Sequence, residues 1–258
     1  MTSLSVPFLT DLQRQYRIVL ASGSPRRLDI LRNLGIEFEV VVSSFPEDLE
    51  KAHFQHPGDY VAENAYRKAL DVSERLNAAF QPGDRPYLII GADTIVYANG
   101  CILEKPVDEA AALATLCSYR DHPHHVVTAL CLLGGPFPPD QLPAAPSVPS
   151  APTDATVADP IAIGASRPMW QVRSDSTCFS YCATETTQVT FDADIPEEAL
   201  RAYVATGEPM DKAGAYGYQG LAAFFVSGIQ GDYYNVVGFP SHLFFTMLHR
   251  MAKAAGWP

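Results

Sequence analysis

Short apolar runs alternate with helically spaced apolar positions through the first third of the chain. The segments 17–22, 38–42 and 87–90 are short and largely apolar, which is typical of buried strands. In 25–34 and 59–76 the apolar residues recur every three or four positions, which predicts helices with one buried face. This alternation of strands and helices predicts an α/β fold.

A tight hairpin is predicted after the third strand. The short apolar segments 95–97 and 101–103 flank Asn99-Gly100, a pair that favours two-residue turns between antiparallel strands. The other predicted elements are a helix at 108–118, strands at 124–133 and 171–191, a helix from Asp194 to Gly207, a hairpin around Gly231-Asp232 and a helix from about 240.

The segment 134–170 interrupts this pattern. It is rich in proline, alanine and small polar residues, a composition that favours a flexible, partly extended insertion over a packed element. A loop joining two strands is the preferred interpretation, with a proline-rich docking segment as the alternative. The predicted organisation is an N-terminal extension at 1–16 followed by a single domain at 17–258 that carries this insertion.

The composition narrows the class of protein. The chain of 258 residues is 47% hydrophobic, enough for one buried core. Its net charge of -11 opposes general binding to nucleic acid, because such binding depends on neutralising phosphates. No apolar run reaches the roughly 20 residues of a membrane span, and a cytosolic location is expected. The five cysteines show neither paired zinc-ligand spacing nor a disulfide framework.

An anion-binding helix start is predicted at 22–27, where a strand leads into Ser-Gly-Ser-Pro-Arg-Arg. Ser24 is expected to cap the helix and Pro25 to occupy its first turn. Arg26 and Arg27 add fixed positive charge at a helix end that already favours phosphate. The alternative is an ordinary capped helix with solvated arginines.

Candidate groups for phosphate chemistry lie elsewhere in the chain. Asp93 follows the apolar run 87–90, so we expect it at the carboxyl end of a strand, where open α/β sheets bind ligands. Hydrolysis of a phosphoanhydride also needs cations that offset charge on the departing oxygen. Lys68, Lys105 and Lys212 could supply them, although each alone could equally be a surface lysine.

Five segments, in order, resemble the Maf family of nucleoside triphosphate pyrophosphatases. They are 22–27 (SGSPRR), 91–94 (GADT), 105–106 (KP), 124–128 (HHVVT) and 206–220 (TGEPMDKAGAYGYQG). The resemblance covers 18–133 and 187–248. It implies a two-lobed α/β fold around a central mixed sheet, with a nucleotide-binding cleft and a homodimeric assembly.

The resemblance also implies an activity and a set of site residues. The family hydrolyses nucleoside triphosphates to the monophosphate and pyrophosphate and removes non-standard nucleotides. By this likeness Asp93 would activate water with Lys68 and Lys105, and a divalent cation, Mg²⁺ or Mn²⁺, would lie near Asp93 and Glu47. The positions that match the family's phosphate-binding groups are Ser22, Ser24, Arg26, Arg27 and Lys212.

Arg26, Thr94 and Gln219 match the branch of the family that acts on dTTP, UTP and modified pyrimidine nucleotides. Tyr218 departs from the aliphatic residue that commonly precedes the glutamine, which could alter the base pocket. Two other functions stay open at this stage. One is a pyrophosphatase that prefers methylated GTP, and the other is a regulatory protein of cell division that binds nucleotides without turnover.

Overall fold

A mixed eight-stranded sheet, with helices on both faces, organises the molecule. The computed structural model describes residues 7–137, 163, 169–172 and 178–254. The strands are β1 (Arg17–Leu20), β2 (Glu39–Val40), β3 (Tyr87–Ala98), β4 (Cys101–Leu103), β5 (His124–Gly135), β6 (Met169–Val172), β7 (Phe179–Phe191) and β8 (Val226–Gln230). The helices are α1 (Pro7–Gln15), α2 (Pro25–Asn33), α3 (Pro57–Asn77), α4 (Glu109–Ser118), α5 (Glu197–Val204), α6 (Tyr233–Val237) and α7 (Ser241–Ala254).

The sheet is parallel at one side and antiparallel at the other. Its strand order is β2-β1-β3-β5-β7-β6, with β4 also paired to β3 and β8 to β7. The pairs β2-β1 and β1-β3 are parallel, whereas the pairs from β3 onward are antiparallel. The predicted α/β class and central mixed sheet are therefore confirmed.

Strand β3 is buried on both faces, and its side chains alternate between two hydrophobic clusters. Leu88 and Ile90 pack in the cluster that contains residues of α1, α2 and α7. Tyr87 and Ile89 pack in the cluster that contains residues of α3. Because successive side chains of a strand point to opposite faces, Asp93 lies on the α3 face and Thr94 on the α2 face.

A third hydrophobic cluster builds the second lobe of the fold. It joins the far end of β3 to α4, α5 and the end of β7, with Val96, Leu116, Val189 and Leu200 among its buried members. The cleft described below lies between this lobe and the α2 end of the sheet.

The local signals in the sequence were accurate for most elements. The predicted hairpin is confirmed, since Ala98 pairs with Cys101 and both turn residues, Asn99 and Gly100, have positive φ values of 51° and 78°. The predicted helices at 25–34, 59–76 and 108–118 correspond to α2, α3 and α4.

Three local predictions were wrong. Asp93 lies inside β3, because this strand continues past the end of β1 by pairing with β5. Ser24 is the N-cap residue of α2, but its side chain makes no capping hydrogen bond. No hairpin forms around Gly231-Asp232, since Asp232 accepts a hydrogen bond from the Tyr234 amide and caps α6.

The predicted insertion at 134–170 lies largely outside the described residues. Gly135 still belongs to β5, and Met169 begins β6. Within the predicted extension at 1–16, α1 buries Phe8 and Leu12 in the core. The division of the chain at 16 stays a prediction.

Among the described residues, no helix combines the length and apolar character needed to cross a membrane.

Candidate active site

A cleft of about 650 Å³ lies between the two lobes, at the point where β1 ends. All of the site residues predicted from the sequence line it, although they come from distant parts of the chain. These residues are Ser22, Ser24, Arg26, Arg27, Glu47, Lys68, Asp93, Thr94, Lys105, Lys212 and Gln219. Tertiary folding therefore gathers the cations of an acidic protein around one cavity, which is favourable for an anionic ligand.

Asp93 and Lys68 form the buried centre of the cleft. The Lys68 ammonium donates a hydrogen bond to Asp93 Oδ1 over 2.8 Å, and both side chains are about nine-tenths buried. Burial raises the pKa of Asp93, and the positive charge of Lys68 opposes that rise. The pair thus holds a carboxylate that is more basic than an exposed aspartate and faces the cavity.

Glu47 completes this centre from the loop before α3. Its Oε2 atom lies 2.7 Å from Lys68 Nζ, so one ammonium bridges two carboxylates. Glu47 has a φ of 55°, a left-handed backbone conformation that is uncommon for glutamate and often occurs at functional sites.

The two carboxylates also suit a hard divalent cation. Mg²⁺ commonly uses one or two protein carboxylates and takes its other ligands from water and substrate phosphates. Asp93 and Glu47 provide this number of oxygen donors beside the cleft. Within the described part of the chain, no cluster of three or more His, Cys, Asp or Glu side chains forms a fuller metal site.

The start of α2 places two neighbouring arginines in different surroundings. Arg26 is half-buried, and its Nε atom has no hydrogen-bond partner among the described residues. Arg27 is buried and donates from Nε to Gly238 O, from Nη1 to Ser22 Oγ and Ala92 O, and from Nη2 to Thr94 Oγ1. Four of the five N–H groups of Arg27 are therefore bound to protein.

The loop 211–219 forms the opposite wall and carries Lys212. The ammonium of Lys212 donates to Glu208 O and to Asp211 Oδ1, each over 2.6 Å. Gly214 has a φ of 68°, and a Cβ atom there would collide with Val96, so this turn requires glycine. The main chain of the loop is tied to the rest of the lobe, because the Gly214 amide donates to Glu104 O.

Buried aromatic residues pack against this loop and form hydrogen bonds to it. His124 stacks on Tyr119 with the ring centroids 3.8 Å apart, and its Nε2 atom lies 2.8 Å from the Tyr216 hydroxyl oxygen. Tyr119 in turn donates to Gly214 O over 3.0 Å. Burial lowers the pKa of His124 to about 3, so the imidazole is neutral at physiological pH.

The outer part of the cleft holds Lys105, Tyr218 and Gln219. Lys105 and Gln219 are exposed, and their side-chain polar groups can turn towards a ligand. The ring of Tyr218 meets the ring of Tyr233 edge to face, with 5.4 Å between centroids. An amide beside an aromatic ring offers both hydrogen bonding and apolar contact at this rim.

Comparison with known proteins places these features in a family. The family model described as "Maf-like protein" matches residues 17–142 and 169–251, which is most of the chain. The chain belongs to this family. The family match is interrupted within the segment that the composition marked as an insertion.

Curated relatives cover nearly the same part of the chain. A dTTP/UTP pyrophosphatase of Clostridium perfringens is 36% identical over 231 residues, which cover 87% of this chain and 91% of that protein. A dTTP/UTP pyrophosphatase of Schizosaccharomyces pombe is 35% identical over 93% of this chain and 86% of its own length.

A human relative is considerably longer than this family member. The probable bifunctional dTTP/UTP pyrophosphatase/methyltransferase protein of Homo sapiens is 39% identical over 236 residues, which cover 91% of this chain. The chain spans 32% of the length of that human protein.

The sequence analysis missed two residues that line the cleft and two that hydrogen-bond behind it. Asn64 and Tyr60 lie about one and two turns before Lys68 on α3, respectively, and line the cleft, so helical spacing from Lys68 could have identified them. Thr128 and Asn235 extend the hydrogen bonding of Thr94 away from the cleft. No local pattern marks these two, because their contacts join distant segments.

Proposed function

We propose that this chain hydrolyses nucleoside triphosphates, foremost dTTP and UTP, to the nucleoside monophosphate and pyrophosphate. The observation that carries the proposal is the Asp93–Lys68 pair, buried in the wall of a cleft that collects all of the predicted phosphate-binding residues. The names of the curated relatives supply the two substrates. Removal of non-standard pyrimidine nucleotides is the corresponding cellular role.

The proposed reaction is an attack of water on the α-phosphorus. Asp93 accepts a proton from the water as its oxygen bonds to phosphorus, and the bond from the α-phosphorus to the bridging oxygen breaks. Pyrophosphate leaves with the electrons of that bond. The raised pKa of Asp93 supports this role, because a more basic carboxylate accepts a proton more readily.

The cations of the cleft offset the charge that develops on the leaving pyrophosphate. Lys68 holds Asp93 in place, while Arg26, Lys105 and Lys212 bind the phosphate chain in this proposal. Ser22, Ser24 and the free amides at the start of α2 add neutral donors at a helix end that favours anions. Fixed donors of this kind stabilise the transition state without reorganisation.

Asp93 and Glu47 would hold the divalent cation, Mg²⁺ or Mn²⁺. When bound, the cation neutralises phosphate charge and polarises the phosphoryl oxygens. Lys68 contacts both carboxylates and so holds the two proposed ligands close together.

Gln219 is the proposed reader of the base. Its amide can donate and accept hydrogen bonds at once, which suits the adjacent carbonyl and N–H groups of uracil and thymine. Tyr218 provides an aromatic surface beside it. We further propose a cytosolic location and a homodimeric assembly. The exposed apolar side chains of Leu221 and Phe224, which follow Gln219 in the chain, support the dimer.

The substitution Asp93→Asn tests the proposal. The purified chain is incubated with Mg²⁺ or Mn²⁺ and dTTP, UTP, CTP or methylated GTP, and the products are separated by anion exchange. We expect monophosphate and pyrophosphate, fastest from dTTP or UTP, and a fall in kcat of roughly 10²- to 10⁴-fold in Asp93→Asn. Asp121→Asn, on the exposed surface, is the matched control and should retain full activity.

The other outcomes separate the alternatives. Faster turnover of methylated GTP would retain the reaction and overturn the pyrimidine preference. Binding of nucleotides without any release of pyrophosphate would favour the regulatory protein instead.

A further inference from the structure

The two residues proposed to meet the base lie at the centre of a four-residue turn. Tyr218 and Gln219 are its middle positions, and the Gly220 amide closes it by donating to Gly217 O over 3.0 Å. The Gln219 side chain is exposed, so it takes its direction from the main chain of the turn. The geometry of this turn therefore decides where the Gln219 amide points.

Tyr203 holds the first end of the turn. This tyrosine is buried near the end of α5, and its hydroxyl accepts a hydrogen bond from the Gly217 amide over 3.2 Å. The same hydroxyl donates its proton to Glu208 Oε1 over 3.1 Å. Because a backbone amide only donates and an ionised carboxylate only accepts, both directions are fixed. One hydroxyl thus joins the turn to Glu208.

Glu208 holds the other end of the turn. Its second carboxylate oxygen, Oε2, accepts from the Leu221 amide over 3.4 Å, immediately after the turn. The carboxylate also packs closely against Gly220, where a Cβ atom would collide with it. The turn is therefore held at both ends by two side chains that hydrogen-bond to each other.

The main chain of Glu208 holds a phosphate-binding group on the same wall. Its carbonyl oxygen accepts from the Lys212 ammonium over 2.6 Å. The alkyl stem of Lys212 in turn lies against Gly217, where a Cβ atom would collide with it. Glu208 thus fixes the base-reading turn relative to the lysine that is proposed to bind the phosphate chain.

Tyr203 and Glu208 lie outside the lining of the cleft, although the turn that they hold lines it. Their effect on a bound nucleotide must therefore pass through the turn. A glutamine amide that moves freely can offer its oxygen or its nitrogen to either group of a base. It then suits cytosine, whose donor and acceptor are exchanged, as well as uracil. Selection between these bases requires an amide that is held in place before the ligand binds.

We infer that Tyr203 and Glu208 are positioning residues, which fix the turn 217–220 and so give Gln219 its selection of uracil and thymine over cytosine. The inference rests on the proposed function. It adds no contact to the nucleotide, because both residues act through the amide of Gln219.

The substitution Tyr203→Phe tests the inference, because phenylalanine keeps the ring that packs edge to face on Phe225 and removes the hydroxyl. Values of kcat and KM are measured for UTP, dTTP and CTP. We expect the ratio of kcat/KM for UTP to that for CTP to fall roughly 5- to 20-fold, through a raised KM for UTP. The kcat for UTP should change by less than about threefold, since Asp93 and Lys68 lie on other elements.

Glu208→Gln tests the other member of the pair. Glutamine keeps the length of glutamate but replaces one acceptor oxygen with an NH₂ group, which only donates. It cannot accept from both the Tyr203 hydroxyl and the Leu221 amide through separate oxygens, so we expect the same fall in the ratio. An unchanged ratio in both variants would overturn the inference.

Tyr87→Phe is the matched control. Tyr87 is also buried, and its hydroxyl hydrogen-bonds to Ser73 and Asn77 away from the cleft, so its loss should leave the ratio unchanged. In a Gln219→Ala background, Tyr203→Phe should cause no further fall, because the residue through which it acts is gone. A full further fall there, or an equal change in Tyr87→Phe, would overturn the inference.

Hydrogen exchange measures the turn without reference to activity. The amides of 217–221 should exchange faster in Tyr203→Phe than in the unsubstituted chain and at the same rate in Tyr87→Phe. Exchange that is unchanged in Tyr203→Phe would overturn the inference, because the hydroxyl would then not hold the turn.

The proposed function can fail separately. If the unsubstituted chain releases no pyrophosphate from any nucleotide, the reaction is wrong, and dissociation constants for UMP and CMP from titration calorimetry replace the kinetic ratio. A preference for UMP that falls in Tyr203→Phe would support the inference. Equal binding of UMP and CMP by the unsubstituted chain would overturn it, since there would be no selection for the turn to provide.

Discussion

The two faces of β3 use positive charge in different ways. On the α3 face, the Lys68 ammonium bridges Asp93 and Glu47 at the wall of the cleft. On the α2 face, the guanidinium of Arg27 is enclosed and gives four N–H groups to protein oxygens. Burial lowers the pKa of Arg27, and Asp93 opposes this change. The first face is arranged for chemistry, and the second fixes the strand.

Arg26 and Arg27 make the same comparison between adjacent residues. Arg26 keeps a donor without a partner among the described residues, whereas Arg27 has one N–H group left. The planar fork of arginine can satisfy several carbonyl and hydroxyl oxygens at once, which a single ammonium does less well. A cation in a phosphate-binding motif is therefore available to substrate only when its donors are not already used by the protein.

The largest expected effect is the loss of stability in Arg27→Met. This change leaves the carbonyls of Ala92 and Gly238 buried without their donor, and we expect the free energy of unfolding to fall by roughly 3–5 kcal/mol. Arg26→Met is the matched control, with a change below about 0.5 kcal/mol and a raised KM for nucleotide. Urea unfolding measures the stability of both variants, and steady-state kinetics measure the KM. Equal destabilisation of the two variants would remove the distinction between the arginines.

Lys68→Met tests the catalytic face. Without the ammonium, Asp93 and Glu47 lose the charge that holds them together, so we expect kcat to fall roughly 10²- to 10³-fold. Arg67→Met is the control, since Arg67 is the next residue on α3 and pairs with Glu63 at the surface. Pyrophosphate release measures both variants. A loss below tenfold in Lys68→Met would show that Lys68 is not needed on this face.

The most gradual effect, spread over several pH units, concerns pH and the buried support of the Lys212 loop. The pKa of His124 is about 3 in the fold and about 6.5 in an unfolded chain. Between these values the unfolded state binds the extra proton, so this contribution to stability is complete above pH 6.5 and is lost as the pH falls towards 3. The expected slope is about 1.4 kcal/mol per pH unit.

His124→Gln removes this titration and serves as the comparison. The pH dependence of urea unfolding between pH 6 and 4 should be shallower in the variant than in the unsubstituted chain. Equal slopes would mean that the imidazole takes up its proton without unfolding of the loop. The pKa of His124 in the folded protein would then lie near that of an exposed histidine.

Local sequence patterns predicted the helices and the Asn99-Gly100 hairpin well, because helical spacing and turn chemistry act between near neighbours. They were less accurate where an element depends on a distant partner. Asp93 was expected at a strand end, since the apolar run stops at Ile90, but antiparallel pairing with β5 carries the strand through it. Asp232 was expected in a hairpin and caps α6 instead.

The sequence by itself determined the chemical groups of the site: the Ser-Gly-Ser-Pro-Arg-Arg helix start, the acidic and basic residues, and the likeness to a family of pyrophosphatases. It also placed these groups close to the ends of predicted elements. Only the tertiary structure decided which of two adjacent cleft arginines keeps a donor without a partner among the described residues and which bonds to a strand edge. The physical reason is that the fate of Arg27 depends on where β1 stops beside β3, and that register is set by hydrogen bonds between residues about 70 positions apart in the chain.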